Sequence, residues 1–350
     1  MKDVHNPLPG VPKIESPFFS KFFNTETVDA ETLRIALELN TRGYAVIDFP
    51  DSDISNMAEE IKSDLYKEFE WEGWRKFGFE NEISLRVQDA WKSNNNVHKI
   101  ATNPKILDLL SQLYGRRAWP FQTLNFPVGT QQHFHTDSIH FSSMPERFMC
   151  GVWVALEDIT MESGPLVYYP GTHRWPVYTN EFLGICATEL AEHPHQKMYE
   201  PLWRELVEHY KVEPEHFTAK KGQALIWTAN LLHGGSKQQD PNRTRWSQVT
   251  HYYFEDCAYY SPLSSDPFYG TINFKNVTNV ITRERTENMY CGHSIPHEFV
   301  DSVRYKGKVI DPNFNAAAYL RANPDVAKSG VDAEWHWENY GKKEGRSLGI

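Results

Sequence analysis

The sequence predicts a mainly β protein with flanking helices, and three observations carry that prediction. Stretches with apolar residues at three-to-four spacing lie before residue 116, a series of short β-rich runs begins near residue 119, and histidines gather beside an aspartate in one of those runs. Taking the elements in order, ETLRIALELN (31–40) places Leu33, Ala36 and Leu37 on one helical face, with Gly43 where a helix stops. YAVIDF (44–49) follows as a strand. Ile54, Met57, Ile61, Leu65 and Phe69 mark a second helix, and PKILDLLSQLYG (104–115) a third. These helices are expected to cover the outside of a sheet. From 119 onward TLNFPV, HFHTDSIHF, RFMCGVWVAL, PLVYYP, QALIWTA and WSQVTHYYFE read as strands separated by Gly, Pro, Asp and Ser turns, which suggests a sandwich or barrel. A more polar insertion near 180–220, with helical pieces such as MYEPLWRELVEHY, interrupts them as a lid or side wall.

Composition limits what such a protein does. With 350 residues the chain can bury a full core, and 36 Lys+Arg against 46 Asp+Glu give a net charge of −10. That surface repels phosphate backbones and anionic lipid, so nucleic acid is not an expected partner. The start, MKDVHNPLPGVPKIESPFF, has no apolar signal-like region, and no uncharged apolar stretch of about 18 residues occurs, so no membrane insertion is expected. Cys150, Cys186, Cys257 and Cys291 form no CxxC pair, which suits reduced thiols in a cytoplasmic protein.

The segment QQHFHTDSIHF (131–141) carries the chemistry. Along a strand, residues two apart face the same side, so His133, His135 and Asp137 are expected to point one way, and His135 and Asp137 can share one ion. Taken alone, a His-x-Asp pair is more often a hydrogen-bonded couple. A hundred residues later His233 ends a β-like run, and Arg245 heads another strand. Two histidines and one carboxylate with open positions is the arrangement of non-haem Fe(II) oxygenases, because three protein ligands on one face leave room for co-substrate and oxygen.

These motifs resemble the phytanoyl-CoA dioxygenase family of Fe(II)/2-oxoglutarate-dependent oxygenases over roughly residues 30–256. His135-Thr136-Asp137 stands at the family's first metal motif and His233 at its distal histidine. Ser236 and Arg245 stand where the family holds the distal carboxylate of 2-oxoglutarate, although HGGS is a residue longer than in some relatives. VWVALEDI with Trp153, SGPLVYYPGTH (163–173) and Asn125 in TLNF match further family positions, Asn125 at one that commonly lines the co-substrate pocket. The resemblance implies a double-stranded β-helix (jelly-roll, cupin-like) core, metal ligands His135, Asp137 and His233, and co-substrate contacts from Arg245, Ser236, Trp153 and Asn125. It implies Fe(II), 2-oxoglutarate and O2 as cofactor and co-substrates, with a small molecule oxidised as succinate and CO2 are released. Related halogenases carry a small residue at the position of Asp137, so the carboxylate implies hydroxylation or another oxidation. Arg243 is a rival to Arg245, which shares a face with Ser247, Val249 and His251. A bidentate guanidinium suits a buried carboxylate better than an ammonium does.

Two alternatives belong to other classes. A cupin-type metalloenzyme would use three histidines, His133, His135 and His173, and a non-catalytic binding protein would share the fold. His140 and His251 are expected to be packing or substrate-pocket residues. The aromatic stretch FEWEGWRKFGF (69–79) is core by the ordinary reading and pocket mouth by the sharper one. The expected organisation is an N-terminal extension (1–30), the dioxygenase domain (31–260), an irregular extension (261–310) and a small helical appendage (311–350). In that appendage NPDV and YGKKEGR look similar to a helical module attached to bacterial surface and glycan-related proteins. It either docks protein or glycan machinery or caps the barrel.

Overall fold

The structure, a computed structural model, describes residues 5–81, 85–187, 195–304, 314–329 and 333–349. Its main strands are β1 (Tyr44–Asp48), β2 (Val87–Gln88), β3 (Ala118–Phe126), β4 (Ser142–Met144), β5 (Met149–Ala155), β6 (Leu166–Tyr168), β7 (Glu215–Phe217), β8 (Gln223–Thr228), β9 (His233–Gly235), β10 (Ser247–Phe254) and β11 (Ala258–Tyr260). A six-stranded antiparallel sheet in the order β1-β8-β5-β10-β3-β2 faces a three-stranded one, β7-β6-β9, while β4 pairs with β11. This is a jelly-roll core with flanking helices.

Alternation along the strands separates two cores. Ala45 and Ile47 of β1, Val152 and Val154 of β5, and Ala224 and Ile226 of β8 point out of the barrel and meet the helical layer. Their neighbours Tyr44, Trp153, Leu225 and Trp227 point inward, where Leu166, Tyr168 and Phe217 of the small sheet close over them. The helix Ala30–Arg42 starts where Asp29 accepts hydrogen bonds from the amides of Glu31 and Thr32, and stops at Gly43 with φ 86°. Its buried face is Ile35, Ala36 and Leu39, whereas Leu37, expected inside, is 45% exposed. The helix Ile54–Leu65 buries Met57, Ile61 and Leu65 as its period predicts, and Phe69 lies beyond its end. Asn103 caps the helix Pro104–Tyr114.

Three expectations need correcting. HFHTDSIHF is not a strand: His135 makes a single bridge to His233, and Asp137–Ile139 is a turn of 3-10 helix. The chain here bends between two hydrogen-bonding partners instead of running along one. His233 does not end the β8 run but opens β9 after a turn at 229–232. Nor does the aromatic stretch 69–79 reach the pocket mouth, because Trp71 and Trp74 are buried in the outer core.

The insertion contributes the helix His195–Tyr210, whose Tyr199 and Trp203 pack with Ile139, Tyr169, Leu232 and Leu263. Part of that insertion, 188–194, lies outside the described residues. Residues 13–23 join the main core through Ile14, Phe22 and Phe23, and residues 262–304 run through 3-10 turns and a short hairpin into the helix His297–Arg304. No helix among the described residues is long and apolar enough to cross a membrane.

Residues 305–350 form a second compact unit. Within it the helices Ala316–Ala322, Pro324–Ser329 and Ala333–His336 bury Tyr319, Val326 and Ala333, more helical pieces than the two expected. The Tyr319 hydroxyl and His336 Nδ1 lie 2.9 Å apart.

Candidate active site

Two main-chain bonds seat the first elements of the site. The His135 amide donates to the His233 carbonyl at 2.8 Å and the His233 amide to the His135 carbonyl at 3.0 Å, so residues 98 positions apart in sequence become direct neighbours. That approach requires the two glycines after His233. A Cβ at Gly234 would press on the Gln132 carbonyl and Phe134 Cα, and one at Gly235 on Thr130 Oγ1. The 3-10 turn then swings Asp137 back toward the pair.

His135, Asp137 and His233 are all buried, and one ligand atom from each lies within 4.8 Å of the others, a set that could hold a metal ion. Each imidazole is oriented by its other nitrogen. His135 Nδ1 donates to the His133 carbonyl at 3.0 Å and His233 Nδ1 to the Leu231 carbonyl at 3.0 Å, which leaves both Nε2 lone pairs toward Asp137, each 3.9 Å from a carboxylate oxygen. Burial together with neighbouring His233 pushes His135 down to about 3, which keeps the imidazole neutral. Burial raises the Asp137 carboxyl, but His233, His251 and His135 beside it and the Trp227 indole more than reverse that, and it sits below the ordinary carboxylate value. Trp227 Nε1 donates to Asp137 Oδ2 at 2.8 Å.

These groups open into a cavity of about 360 Å³. Arg245 and Trp153 line it, together with Leu166, Val249 and Phe126. The Arg245 side chain is 1% exposed, and no carboxylate among the described residues lies within ion-pair distance. Nη2 donates to the Val128 carbonyl at 3.3 Å, and Nε has no hydrogen-bond partner among the described residues. Burial lowers its pKa to about 10 against the opposing pull of Glu157. A buried guanidinium without a counter-charge is costly, and an anion entering the cavity would relieve it.

Other expected residues are placed elsewhere. On β3, Gln122, Leu124 and Phe126 face the cavity, so Asn125 does not line it; its amide donates to Gln248 at 3.4 Å on the opposite side of the sheet. Ser236 does not line the cavity either, although its Oγ is buried without a partner. Arg243 is half-exposed, with Nε 3.8 Å from Asp240. The three-histidine arrangement does not assemble. His133 turns its Nδ1 to the Phe134 carbonyl, because the segment is not the strand that would have aligned it with His135. His173 is held by the Asn40 carbonyl at 3.1 Å.

Gln122 and His251 line the cavity as an adjacent pair, with 2.9 Å between Gln122 Oε1 and His251 Nδ1 and 3.8 Å from His251 Nε2 to Asp137 Oδ2. The alternation that groups Arg245, Val249 and His251 on one face carries the signal for His251. Trp227 had no comparable sequence signal, since an inward Trp on a buried strand reads as packing.

Comparison with known proteins adds to this geometry. The sequence model of the family described as phytanoyl-CoA dioxygenase (PhyH) matches residues 39–245, more than half the chain. Peroxisomal phytanoyl-CoA dioxygenase of Rattus norvegicus is 25% identical over 189 residues, 51% of this chain and 52% of its own length. The corresponding protein of Homo sapiens is 24% identical over 236 residues, 62% of this chain and 67% of its own. The chain thus spans about half the length of the rat relative it matches. Among solved structures, the non-heme alpha ketoglutarate dependent carbocyclase SnoK from nogalamycin biosynthesis has a TM-score of 0.49 at 16% identity, covering 67% of this chain and 87% of its own. EctD from S. alaskensis, crystallised with 2-oxoglutarate and 5-hydroxyectoine, has a TM-score of 0.49 at 17% identity, covering 67% and 79%.

Proposed function

The chain belongs to the phytanoyl-CoA dioxygenase family, and on that footing we propose that it is an Fe(II)- and 2-oxoglutarate-dependent dioxygenase that hydroxylates a small molecule. One observation carries this reading: a buried two-histidine, one-carboxylate donor set lines the same cavity as a buried guanidinium that makes no ion pair among the described residues. Iron and 2-oxoglutarate, when bound, supply the capacity to activate dioxygen and oxidise the substrate, with succinate and CO2 as co-products.

The residues present fit both groups. His135 and His233 would offer Nε2 and Asp137 a carboxylate oxygen to Fe(II), a neutral-neutral-anionic set that leaves a 2-oxo acid electrostatically welcome. Arg245 would hold the distal carboxylate of 2-oxoglutarate, with Trp153 and Phe126 excluding water around it: the guanidinium lies 5.7 Å and 6.0 Å from their ring centroids. Trp227 holds the Asp137 carboxylate in place. Because a carboxylate occupies position 137, no place is left there for a halide, which favours hydroxylation as the outcome. The four free cysteines suit the cytoplasmic location we assign to the enzyme. For residues 311–350 we propose docking to a protein or to glycan machinery.

The test is iron content and 2-oxoglutarate-dependent succinate formation in three variants. His135→Ala and His233→Ala should lose both while keeping the folded barrel, and His133→Ala should keep both. Near-normal succinate formation in His233→Ala would overturn the assignment.

A further inference from the structure

His251 lines the cavity at the end away from Arg245. Pairing of β10 with β3 sets Ser247 opposite Phe126 at one end and His251 opposite Gln122 at the other, and four strand residues separate these ends by about 13 Å. Aromatic rings enclose the imidazole. The Phe121 ring centroid lies 5.9 Å away at an interplanar angle of 24°, that of Phe141 5.5 Å away at 32°, and Trp227 meets it edge-on at 6.1 Å. Gly151 pairs with His251 from β5, and its missing Cβ admits the Trp227 indole. The His251 side chain is buried, and packing this dense holds its ring in one orientation.

Hydrogen bonding then decides what the ring offers. Gln122 Oε1 stands 2.9 Å from His251 Nδ1 and can only accept, so the neutral imidazole carries its proton on Nδ1 and presents a lone pair at Nε2. That lone pair lies 3.8 Å from Asp137 Oδ2, an oxygen that already accepts from the Trp227 indole. Two acceptors thus face each other beside the metal-binding set, to which His251 does not belong. A desolvated acceptor without a donor is destabilising, and a phenylalanine would fill the same space without that cost. The missing partner is a donor. We propose that His251 Nε2 holds the prime substrate by accepting a hydrogen bond from a hydroxyl or amide N–H next to the carbon that is oxidised. Gln122, whose Oε1 is turned to His251, keeps its amide nitrogen to donate to an oxygen of the same group. The substrate is then an alcohol or an amide at this point, because a carboxylate or phosphate would bring acceptors to an acceptor. This rests on the oxygenase reading of the site.

The experiment uses the full chain loaded with Zn(II) and 2-oxoglutarate, so that binding is read without turnover. Long-range proton–nitrogen NMR spectra report the His251 tautomer, which should carry its proton on Nδ1 in the unaltered chain and lose that preference in Gln122→Leu. Trp153 and Trp227 line the cavity, and their fluorescence reports occupancy. Cyclohexanol is titrated against its methyl ether, and N-methylbenzamide against N,N-dimethylbenzamide, so the two arms distinguish an alcohol site from an amide site. At least one donor should bind fivefold or more tighter than its methylated partner. His251→Phe should shrink that preference to twofold or less at unchanged Zn(II) affinity, and His251→Gln, which keeps an acceptor, should retain it. The proposal is overturned if the unaltered chain carries the proton on Nε2, if neither donor gives a saturable response, if the methylated partners bind as tightly, if the preference survives His251→Phe, or if Zn(II) affinity falls with it. Failure of the underlying oxygenase reading would show differently, as a response to 2-oxoglutarate that does not depend on Arg245.

Discussion

At the scale of the residue, the site works by orientation as much as by donor identity. His135 and His233 each have one nitrogen tied to a carbonyl two residues earlier, which sets the tautomer and leaves Nε2 as the free donor atom. Asp137 is held by an indole N–H, and removing a partner of this kind typically costs about 10–100-fold in metal affinity. Trp227→Phe should therefore weaken Fe(II) binding by roughly that factor without unfolding the protein, as metal titration followed by circular dichroism can check. Arg245 is the sharper case. Deleting one member of a desolvated charge pair costs about 3–5 kcal/mol, and each 1.4 kcal/mol is about tenfold in binding. Arg245→Ala should raise the dissociation constant for 2-oxoglutarate by at least about two orders of magnitude at unchanged iron content. Arg243, half-exposed and beside Asp240, should tolerate Ala with a much smaller effect. The reverse ranking, measured by calorimetric titration, would transfer the co-substrate role to Arg243.

At the scale of the element, strands β5 and β8 place Trp227 where it can reach Asp137. Gly151 is paired with Trp227 across these strands, and the indole lies where a Cβ on Gly151 would be. Overpacking a filled core costs about 1–3 kcal/mol. Gly151→Ala should accordingly lower the denaturation midpoint and also weaken metal binding, because the displaced indole carries the Asp137 hydrogen bond with it. A loss of stability with unchanged metal affinity would show that the indole can move without releasing the carboxylate. The pairing of β9 with the 130–135 segment is equally demanding, and the glycines at 234 and 235 serve that close approach.

At the scale of the whole molecule, the first compact unit is tied together by contacts between distant segments. Arg147 Nη1 meets Glu15 at 2.6 Å and the His173 carbonyl at 2.9 Å, while Nη2 meets the Trp175 carbonyl at 2.9 Å. Burial raises the Glu15 carboxyl even though Arg147 opposes it. Arg147→Ala leaves that carboxyl buried without its partner and removes one of two donors from the His173 and Trp175 carbonyls, which Asn230 also bonds, and it should destabilise the unit by about 3 kcal/mol, toward the lower end for a broken buried pair because Arg147 is partly exposed. Urea denaturation measures this directly, and a change below about 0.5 kcal/mol would place the pair with ordinary surface ion pairs.

What the sequence determined by itself was periodicity and residue type. The helix ended by Gly43 and the residue types that carry the resemblance, His135, Asp137, His233 and Arg245, are legible from the sequence itself. Reasoning from strand alternation paired His135 with Asp137, yet the chain joins them through a bridge and a 3-10 turn; the same alternation wrongly aligned His133 with them. Only the tertiary structure decided that His135 and His233 hydrogen-bond to each other, that Trp227 caps Asp137, that Asn125 faces away from the cavity, and that Lys275 enters it. The physical reason is range. Periodicity is set by local backbone geometry and repeats every two or 3.6 residues, whereas register between strands far apart in the chain is fixed by hydrogen bonds and close packing that no local stretch encodes.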